Sequence, residues 1–234
     1  KRHPNGTLEW STPTPFSIAM GYNLQSNSIQ IARALSVLAN GGYLNQPTLV
    51  RKIVKKSKDG KQEVLIDHTQ ELNPYPYPQI IDESIAKRVV EAMCFVNKHG
   101  GTAVKANVPG YKIAGKTSTP KKIVNGRYSE KLYCPIYGGI APAEQPKFVM
   151  VVTMDEPRYG FVPGIGKRHN GGNCTATVFR AIAKRAFDYL GVAPDDLYDY
   201  PYGDPRRDLK QSTSFLKRQQ LQKLYNQWNQ LPAK

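Results

Sequence analysis

One short run, residues 111–120, constrains the fold of this chain more than any other part of the sequence. It reads YKIAGKTSTP, so a glycine precedes Lys116 and three hydroxyl residues follow it. Apolar residues before the lysine alternate with small or polar ones, and this period of two predicts a half-buried β-strand. A strand that carries a cation, hydroxyls and backbone N–H groups can bind an anionic or carbonyl-bearing substrate. Because successive side chains of a strand alternate between its two faces, Lys116 and Ser118 are expected on one face and Thr117 and Thr119 on the other.

The length and composition fit a globular protein. The 234 residues, 40% of them apolar, can bury a large core in one or two domains. No apolar run is long enough to span a bilayer, and no charged-then-apolar leader begins the sequence. Since the sequence opens on Lys1 rather than methionine, we expect it to be part of a longer protein.

The formal net charge of +15 raises the question of an anionic partner. The basic residues are spread along the whole chain, and no zinc-finger, RNP or Gly-rich phosphate motif accompanies them. The charge therefore favours a solvated basic surface, or attraction to anionic polymers and lipid headgroups, over specific nucleic-acid binding.

The cysteines and histidines show no pattern typical of a disulfide framework or a metal site. The three cysteines (Cys94, Cys134, Cys174) are far apart, and the four histidines lack ligand spacing such as H-E-x-x-H. We expect no metal and no cofactor. Cys94 falls in a predicted helix with an apolar face, which indicates a buried thiol.

The hydrophobic pattern predicts helices alternating with an antiparallel set of strands. Helices are expected at 29–39, 82–96 and 175–190, with Ser28 and Asp82 as N-caps of the first two. A hairpin joins strands at 49–55 and 62–66, and a meander joins strands at 111–119, 132–141 and 148–155. The last of these is expected to be a fully buried central strand, and 121–130 a basic, polar turn centred on Asn125-Gly126. The buried helix faces are expected to be Ile85, Val89, Met93 and Val96 in one helix, and Phe179, Ile182, Ala186 and Tyr189 in another.

The two ends of the chain differ from this core. Residues 1–16 are rich in proline and threonine and are expected to form a loop. Residues 1–195 are expected to form one domain and 196–234 a linker with a basic tail helix at 213–231. One stripe of that helix is apolar, and it could dock on the domain, bind a partner or touch a membrane surface.

Four stretches in order resemble the C-terminal half of a class B penicillin-binding protein transpeptidase domain. They are 21–42 (GYNLQSNSIQIARALSVLANGG), 100–120 (GGTAVKANVPGYKIAGKTSTP), 137–157 (YGGIAPAEQPKFVMVVTMDEP) and 171–180. Lys116-Thr117-Ser118 is similar to the family's Lys-Thr-Gly box. The division-type, FtsI-like subfamily fits best, because it shares the Gly-Tyr lead into the box and the Ala-Pro-Ala turn. The resemblance covers about residues 16–195.

This resemblance implies a fold class and a chemistry. The fold would be α+β, of the penicillin-binding and serine β-lactamase type, with an antiparallel sheet flanked by helices. A serine nucleophile of the family attacks the D-Ala-D-Ala stem peptide of peptidoglycan, or a β-lactam, and forms an acyl-enzyme. Lys116 would anchor the substrate carboxylate, and Thr117 would hold the polar face of the strand. Thr119 would offer its backbone N–H to the oxyanion hole and its hydroxyl to the carboxylate.

The sequence departs from the family in two ways. Ser118 replaces the glycine of the box and places a side chain near the bound substrate. The family's S-x-x-K and S-x-N motifs lie upstream of this region, and no S-x-N precedes Lys116. S-x-x-K matches such as those at 84–87 and 214–217 do not hold the family's position for the nucleophile. We therefore expect the nucleophile to be missing and the chain alone to be inert.

Two functions of different classes remain open besides nucleic-acid binding. In the first, the parent protein is a D,D-transpeptidase of the bacterial inner membrane, with this domain on the periplasmic side. Its partners would be stem peptides, β-lactams and cell-division proteins. In the second, suggested by Ser118 and the basic tail, the chain is a non-catalytic scaffold of the cell-wall machinery.

Overall fold

A computed structural model of the chain describes residues 14–19, 21, 24–57, 59–68 and 77–196, and five single positions between 220 and 227. Most of the predicted tail helix therefore lies outside the described residues, as do Ser214 and Lys217. The helices are α1 (Thr14–Ala19), α2 (Ser28–Ala39), α3 (Glu83–Cys94) and α4 (Thr175–Leu190), with 3₁₀ turns at Phe95–Asn97 and Val104–Ala106. The strands are β1 (Lys52–Lys56), β2 (Gln62–Asp67), β3 (Ala114–Ser118), β4 (Lys121–Val124), β5 (Arg127–Tyr133), β6 (Ile136–Ala141), β7 (Phe148–Thr153), β8 (Phe161–Val162) and β9 (Gly166–Lys167).

The central sheet has three strands in the order β3-β6-β7, and both pairs are antiparallel. The predicted antiparallel meander is therefore confirmed. The prediction that β7 is the fully buried central strand is wrong. β6 has a neighbour on each side and five of its six residues are buried, whereas β7 lies at an edge and is only partly buried.

Helices cover both faces of this sheet, which confirms the α+β fold with flanking helices. On one face α2 and α3 pack on the sheet through Leu35 and Val90, and on the other α4 packs through Phe179 and Phe187. Neighbouring glycines in β6 make these contacts possible. A Cβ at Gly138 would lie 2.7 Å from Leu35 Cδ1, and one at Gly139 would lie 2.6 Å from the Phe179 ring.

The buried faces of α3 and α4 differ from the predicted ones. In α3 the buried residues are Ala86, Val90 and Cys94, and two of the residues predicted to be buried, Ile85 and Val89, are exposed. The small side chains of Ala86 and Cys94 allow α3 to approach β3 closely. Cys94 is buried, as expected.

The buried face of α4 is set by its aromatic contacts. Phe187 is buried and stacks on Tyr111 with ring centroids 4.0 Å apart. Phe179 is expected and found in the core. Ile182 and Tyr189 are exposed, at 46% and 89%, although the sequence predicted both to face inward. The face therefore follows the spacing of Phe179 and Phe187, in which Ala183 is also buried.

Local signals determine where the elements begin and turn. Asn27, rather than the predicted Ser28, caps α2 and forms a capping box with Gln30. Asp82 caps α3, as expected. The β1–β2 hairpin is also confirmed. The predicted turn at Asn125-Gly126 is confirmed, because both residues adopt positive φ and so allow a tight two-residue turn. The residues on either side of it within 121–130 belong instead to β4 and β5, which form a hairpin.

The start of the described chain differs from the predicted loop. Thr14–Ala19 is a short helix, so the predicted loop at 1–16 is wrong for its last three residues. No helix among the described residues combines the length and the apolar content needed to cross a bilayer.

Candidate functional site

The candidate site lies along β3, the edge strand of the central sheet. The strand begins with two buried residues, Ala114 and Gly115, and continues into the exposed Lys116. Gly115 is needed because the Tyr137 side chain crosses the strand here, and a Cβ would lie 2.0 Å from the phenol oxygen.

The phenol of Tyr137 belongs to a buried hydrogen-bond chain beneath β3. Tyr137 Oη donates to Asn97 Oδ1 at 2.7 Å, and Asn97 Nδ2 donates to the Ile113 carbonyl at 2.8 Å. Tyr137 and Asn97 are 0% and 2% exposed. Burial raises the pKa of Tyr137, more than the bond to Asn97 lowers it, so the phenol stays protonated. This chain fixes the start of the strand that carries Lys116.

Lys116 presents its charge at the surface. Its side chain is exposed, and Nζ donates to the Thr117 carbonyl at 2.7 Å. No ion pair involves Lys116 among the described residues. The ammonium is therefore available to an anionic ligand.

The two threonines both contact elements on the α4 side of the sheet. Thr117 Oγ1 lies 2.8 Å from Thr102 Oγ1, and Thr119 Oγ1 accepts the Gly171 N–H at 3.1 Å. Both hydroxyls are partly exposed. These contacts agree with the predicted alternation, in which Thr117 and Thr119 share one face of the strand.

Ser118 fits the strand without backbone strain. It lies in extended conformation opposite Ile136, and its side chain is exposed. The Ser118 side chain is thus exposed, on the face predicted for Lys116.

The S-x-x-K match at 84–87 has local partners. Ser84 Oγ donates to Asp82 at the N-terminus of α3, and Lys87 pairs with Glu83 at 2.6 Å on the helix surface. Both side chains thus make their contacts within the first turns of α3.

Two adjacent glycines, Gly171 and Gly172, form a turn that packs against the end of β3. A Cβ at Gly171 would lie 2.7 Å from the carbonyl oxygens of Ile136 and Ser118, and one at Gly172 would lie 1.9 Å from the Thr102 carbonyl oxygen. Only glycine can approach the backbone this closely. We refer to these two residues as the glycine turn.

His169, two residues before the glycine turn, packs in a cluster of three rings with Tyr133 and Tyr159. The His169 ring is 4.4 Å from that of Tyr133 and 4.6 Å from that of Tyr159. It is 5% exposed, and its Nδ1 has no hydrogen-bond partner among the described residues. Burial, with the nearby Lys167, lowers the pKa of His169, which favours the neutral ring. Sequence reasoning missed His169, Thr102 and the glycine turn, although the GG pair in 171–180 was a visible signal.

A cavity of about 560 Å³ lies near the opposite end of β3, between α2 and α3. Lys112 and Cys94 line it, as does Glu144, which pairs with Lys112 at 2.8 Å. Burial raises the pKa of Cys94 to about 11. Since none of the residues 116–119 lines this cavity, it is separate from the candidate site. The described residues contain no cluster of three or more His, Cys, Asp or Glu side chains suited to a metal ion.

Comparisons with known proteins identify relatives of this domain. A family model for the penicillin binding protein transpeptidase domain matches residues 5–184. Peptidoglycan D,D-transpeptidase FtsI of Escherichia coli K12 is 32% identical over 189 residues, 80% of this chain and 28% of that protein. A probable peptidoglycan D,D-transpeptidase PenA of Neisseria flavescens is 30% identical over 185 residues, 79% of this chain and 40% of that protein.

Solved structures show the same fold. The apo TP domain of Burkholderia pseudomallei penicillin-binding protein 3 is 27% identical, with a TM-score of 0.59 over 80% of this chain and 49% of that one. Penicillin binding protein 3 of Mycobacterium tuberculosis, in complex with ampicillin, has a TM-score of 0.62 at 24% identity, over 80% of this chain and 40% of that one, and is similar in fold. The chain spans less than half the length of these curated relatives.

Proposed function

Because the chain belongs to the penicillin-binding protein transpeptidase domain family, we propose that it is the C-terminal part of a D,D-transpeptidase that cross-links peptidoglycan stem peptides during cell division. Relatives whose names carry that activity, FtsI among them, support the proposal. The chain spans 28% of FtsI and 40% of PenA, so the rest of the active site would come from another part of the parent protein.

The single observation that carries the proposal is the chemistry of β3. An exposed Lys116 ammonium and the partly exposed Thr117 lie on an edge strand, and the partly exposed Thr119 follows directly after its last residue. Lys116 attracts the carboxylate of the stem peptide or β-lactam, and Thr117 and Thr119 donate hydrogen bonds to it. The backbone N–H of Thr119 points its dipole at the oxygen of the scissile carbonyl, where negative charge develops.

The bond changes require a serine that these residues do not supply. Its oxygen attacks the carbonyl carbon of the penultimate D-Ala, and the terminal D-Ala leaves as an amine after taking up the proton. The amine of a neighbouring stem then attacks the acyl-serine, and the serine recovers its proton. We therefore expect the 234-residue chain alone to form no acyl-enzyme. For the parent protein we propose a location at the inner membrane, with this domain on the periplasmic side and cell-division proteins as partners.

Intact mass of the full-length protein after incubation with benzylpenicillin tests the proposal. We expect one covalent adduct per molecule in the full-length protein, and none on this chain alone under the same conditions. Lys116→Met is expected to reduce adduct formation by about 100-fold or more, since it removes a charge aimed at the ligand. The exposed Lys131→Met is the matched control.

Either of two results would contradict the proposal. A folded full-length protein that forms no adduct would favour the non-catalytic scaffold. An adduct on the isolated chain would show that a serine within these residues is the nucleophile.

A further inference from the structure

We propose that Thr102 and the glycine turn are the groups that set the hydroxyls of Thr117 and Thr119 as donors toward the carboxylate of the ligand. Thr102 then acts as a positioning residue through Thr117, and the Gly171 amide does so through Thr119. This inference rests on the proposed function, in which the β3 threonines bind a carboxylate.

The contact at Thr119 determines where its proton can point. A threonine hydroxyl has one proton and two acceptor lone pairs. The Gly171 N–H occupies one lone pair of Thr119 Oγ1 at 3.1 Å. The proton must therefore point away from that amide, and no described residue accepts it. Because an oxygen that accepts a hydrogen bond becomes a stronger donor, the amide favours donation from Thr119 to an anion.

The contact at Thr117 works through a second hydroxyl. Thr117 Oγ1 and Thr102 Oγ1 are 2.8 Å apart, and either oxygen can be the donor. Since each hydroxyl has only one proton, a Thr117 that stays hydrogen-bonded to Thr102 can donate to a ligand only when Thr102 donates to Thr117. Thr102 can make this change by rotating its proton, because its side chain is exposed and has no other described partner. The pair thus keeps its hydrogen bond in the free and the bound states.

The glycine turn packs against the residues of both contacts, the one at Thr119 and the one between Thr102 and Thr117. Gly171 lies against the Ser118 carbonyl, and Gly172 lies against the Thr102 carbonyl. The Gly171 carbonyl accepts from Thr175 Oγ1 and from the Ala176 amide, both at 2.9 Å, which fixes the turn to the start of α4. One rigid turn therefore sets the distance of both positioning groups from β3.

Acylation rates of the full-length protein by benzylpenicillin and by its methyl ester test this inference. The ester has lost the negative charge but keeps the β-lactam ring. We expect Thr102→Val to lower the acid-to-ester ratio of second-order rate constants by about fivefold, because one hydrogen bond to a charged group is weakened. Thr102→Ser retains the hydroxyl and is expected to restore the ratio. Thr177→Val removes an exposed hydroxyl on α4 and serves as the matched control.

A second variant tests the other contact. Gly171→Ala displaces the amide from Thr119, and it is expected to lower the same ratio while Thr102 is intact. The inference is overturned if Thr102→Val leaves the ratio unchanged, or if it slows acid and ester equally, since an equal loss indicates a general structural effect. A wild-type protein that neither compound acylates would instead refute the proposed function, and the inference with it.

Discussion

Replacing Tyr137 by Phe tests the claim that a buried hydrogen-bond chain supports the site strand. The change removes only the phenol oxygen and keeps the ring that packs edge-on against Phe179, with centroids 4.7 Å apart. Asn97 Oδ1, which accepts the phenol proton at 2.7 Å, loses that bond. Asn97 is 2% exposed, so water cannot readily replace the donor.

The expected loss of stability follows from this unpaired acceptor. A buried polar group left without its partner costs about 1–3 kcal/mol. We therefore expect Tyr137→Phe to lower the free energy of unfolding by about 2 kcal/mol, and the melting temperature by about 4–8 °C for a domain of this size.

Equilibrium urea unfolding of the 234-residue chain, followed by circular dichroism, measures this effect. Tyr189→Phe is the matched control, because Tyr189 is 89% exposed and an exposed substitution usually changes stability by less than about 0.5 kcal/mol. If Tyr137→Phe and Tyr189→Phe unfold at the same urea concentration, the buried bond does not support β3 and the reasoning is wrong.

Two further predictions concern ionisable side chains whose pKa values are raised by burial. Partial burial of the carboxyl raises the pKa of Asp195 to about 6, and the nearby Glu144 adds to the rise, while the Lys112 N–H opposes it. A carboxyl whose pKa is raised by folding destabilises the fold as pH rises from about 4 to 6. Asp195→Asn should remove that loss and raise the free energy of unfolding by about 1 kcal/mol at pH 7.5, after allowing for the solvent that reaches this residue. Urea unfolding of both proteins at pH 4.5 and 7.5 measures the difference. Equal pH dependence of stability in the two proteins would contradict the prediction. Because burial shields the Cys94 sulfur and raises the pKa of its thiol to about 11, Cys94 should be alkylated after Cys134 and Cys174 at pH 8. Peptide mass spectrometry can follow the labelling, and early labelling of Cys94 would refute its burial.

The sequence predicted the strands better than the helix faces. Period-two alternation around Lys116 placed β3 and its two faces correctly. In α3, however, the apolar residues cover more than half of the helix, so a stripe through Ile85 and one through Ala86 fit the pattern almost equally. The stripe through Ala86, which has the smaller side chains, is the buried one, because α3 lies close to β3.

The supporting contacts of the site depend on pairs that are distant in sequence. Thr102 and Thr117 are 15 residues apart, and Gly171 and Thr119 are 52 residues apart. No local pattern encodes such a pair. The short range of propensity and periodicity explains why the residues of β3 could be predicted and their partners could not.

The glycines of β3 and β6 restrict how this site can vary among related sequences. Gly115 is opposite Gly139 in the ladder, and Gly138 is opposite Lys116. Any side chain at these three glycines would collide with Tyr137, Phe179 or Leu35. Mutations that alter ligand recognition without unfolding the domain are therefore expected to accumulate at exposed positions such as Ser118, and a screen for β-lactam resistance should recover changes there rather than at the glycines.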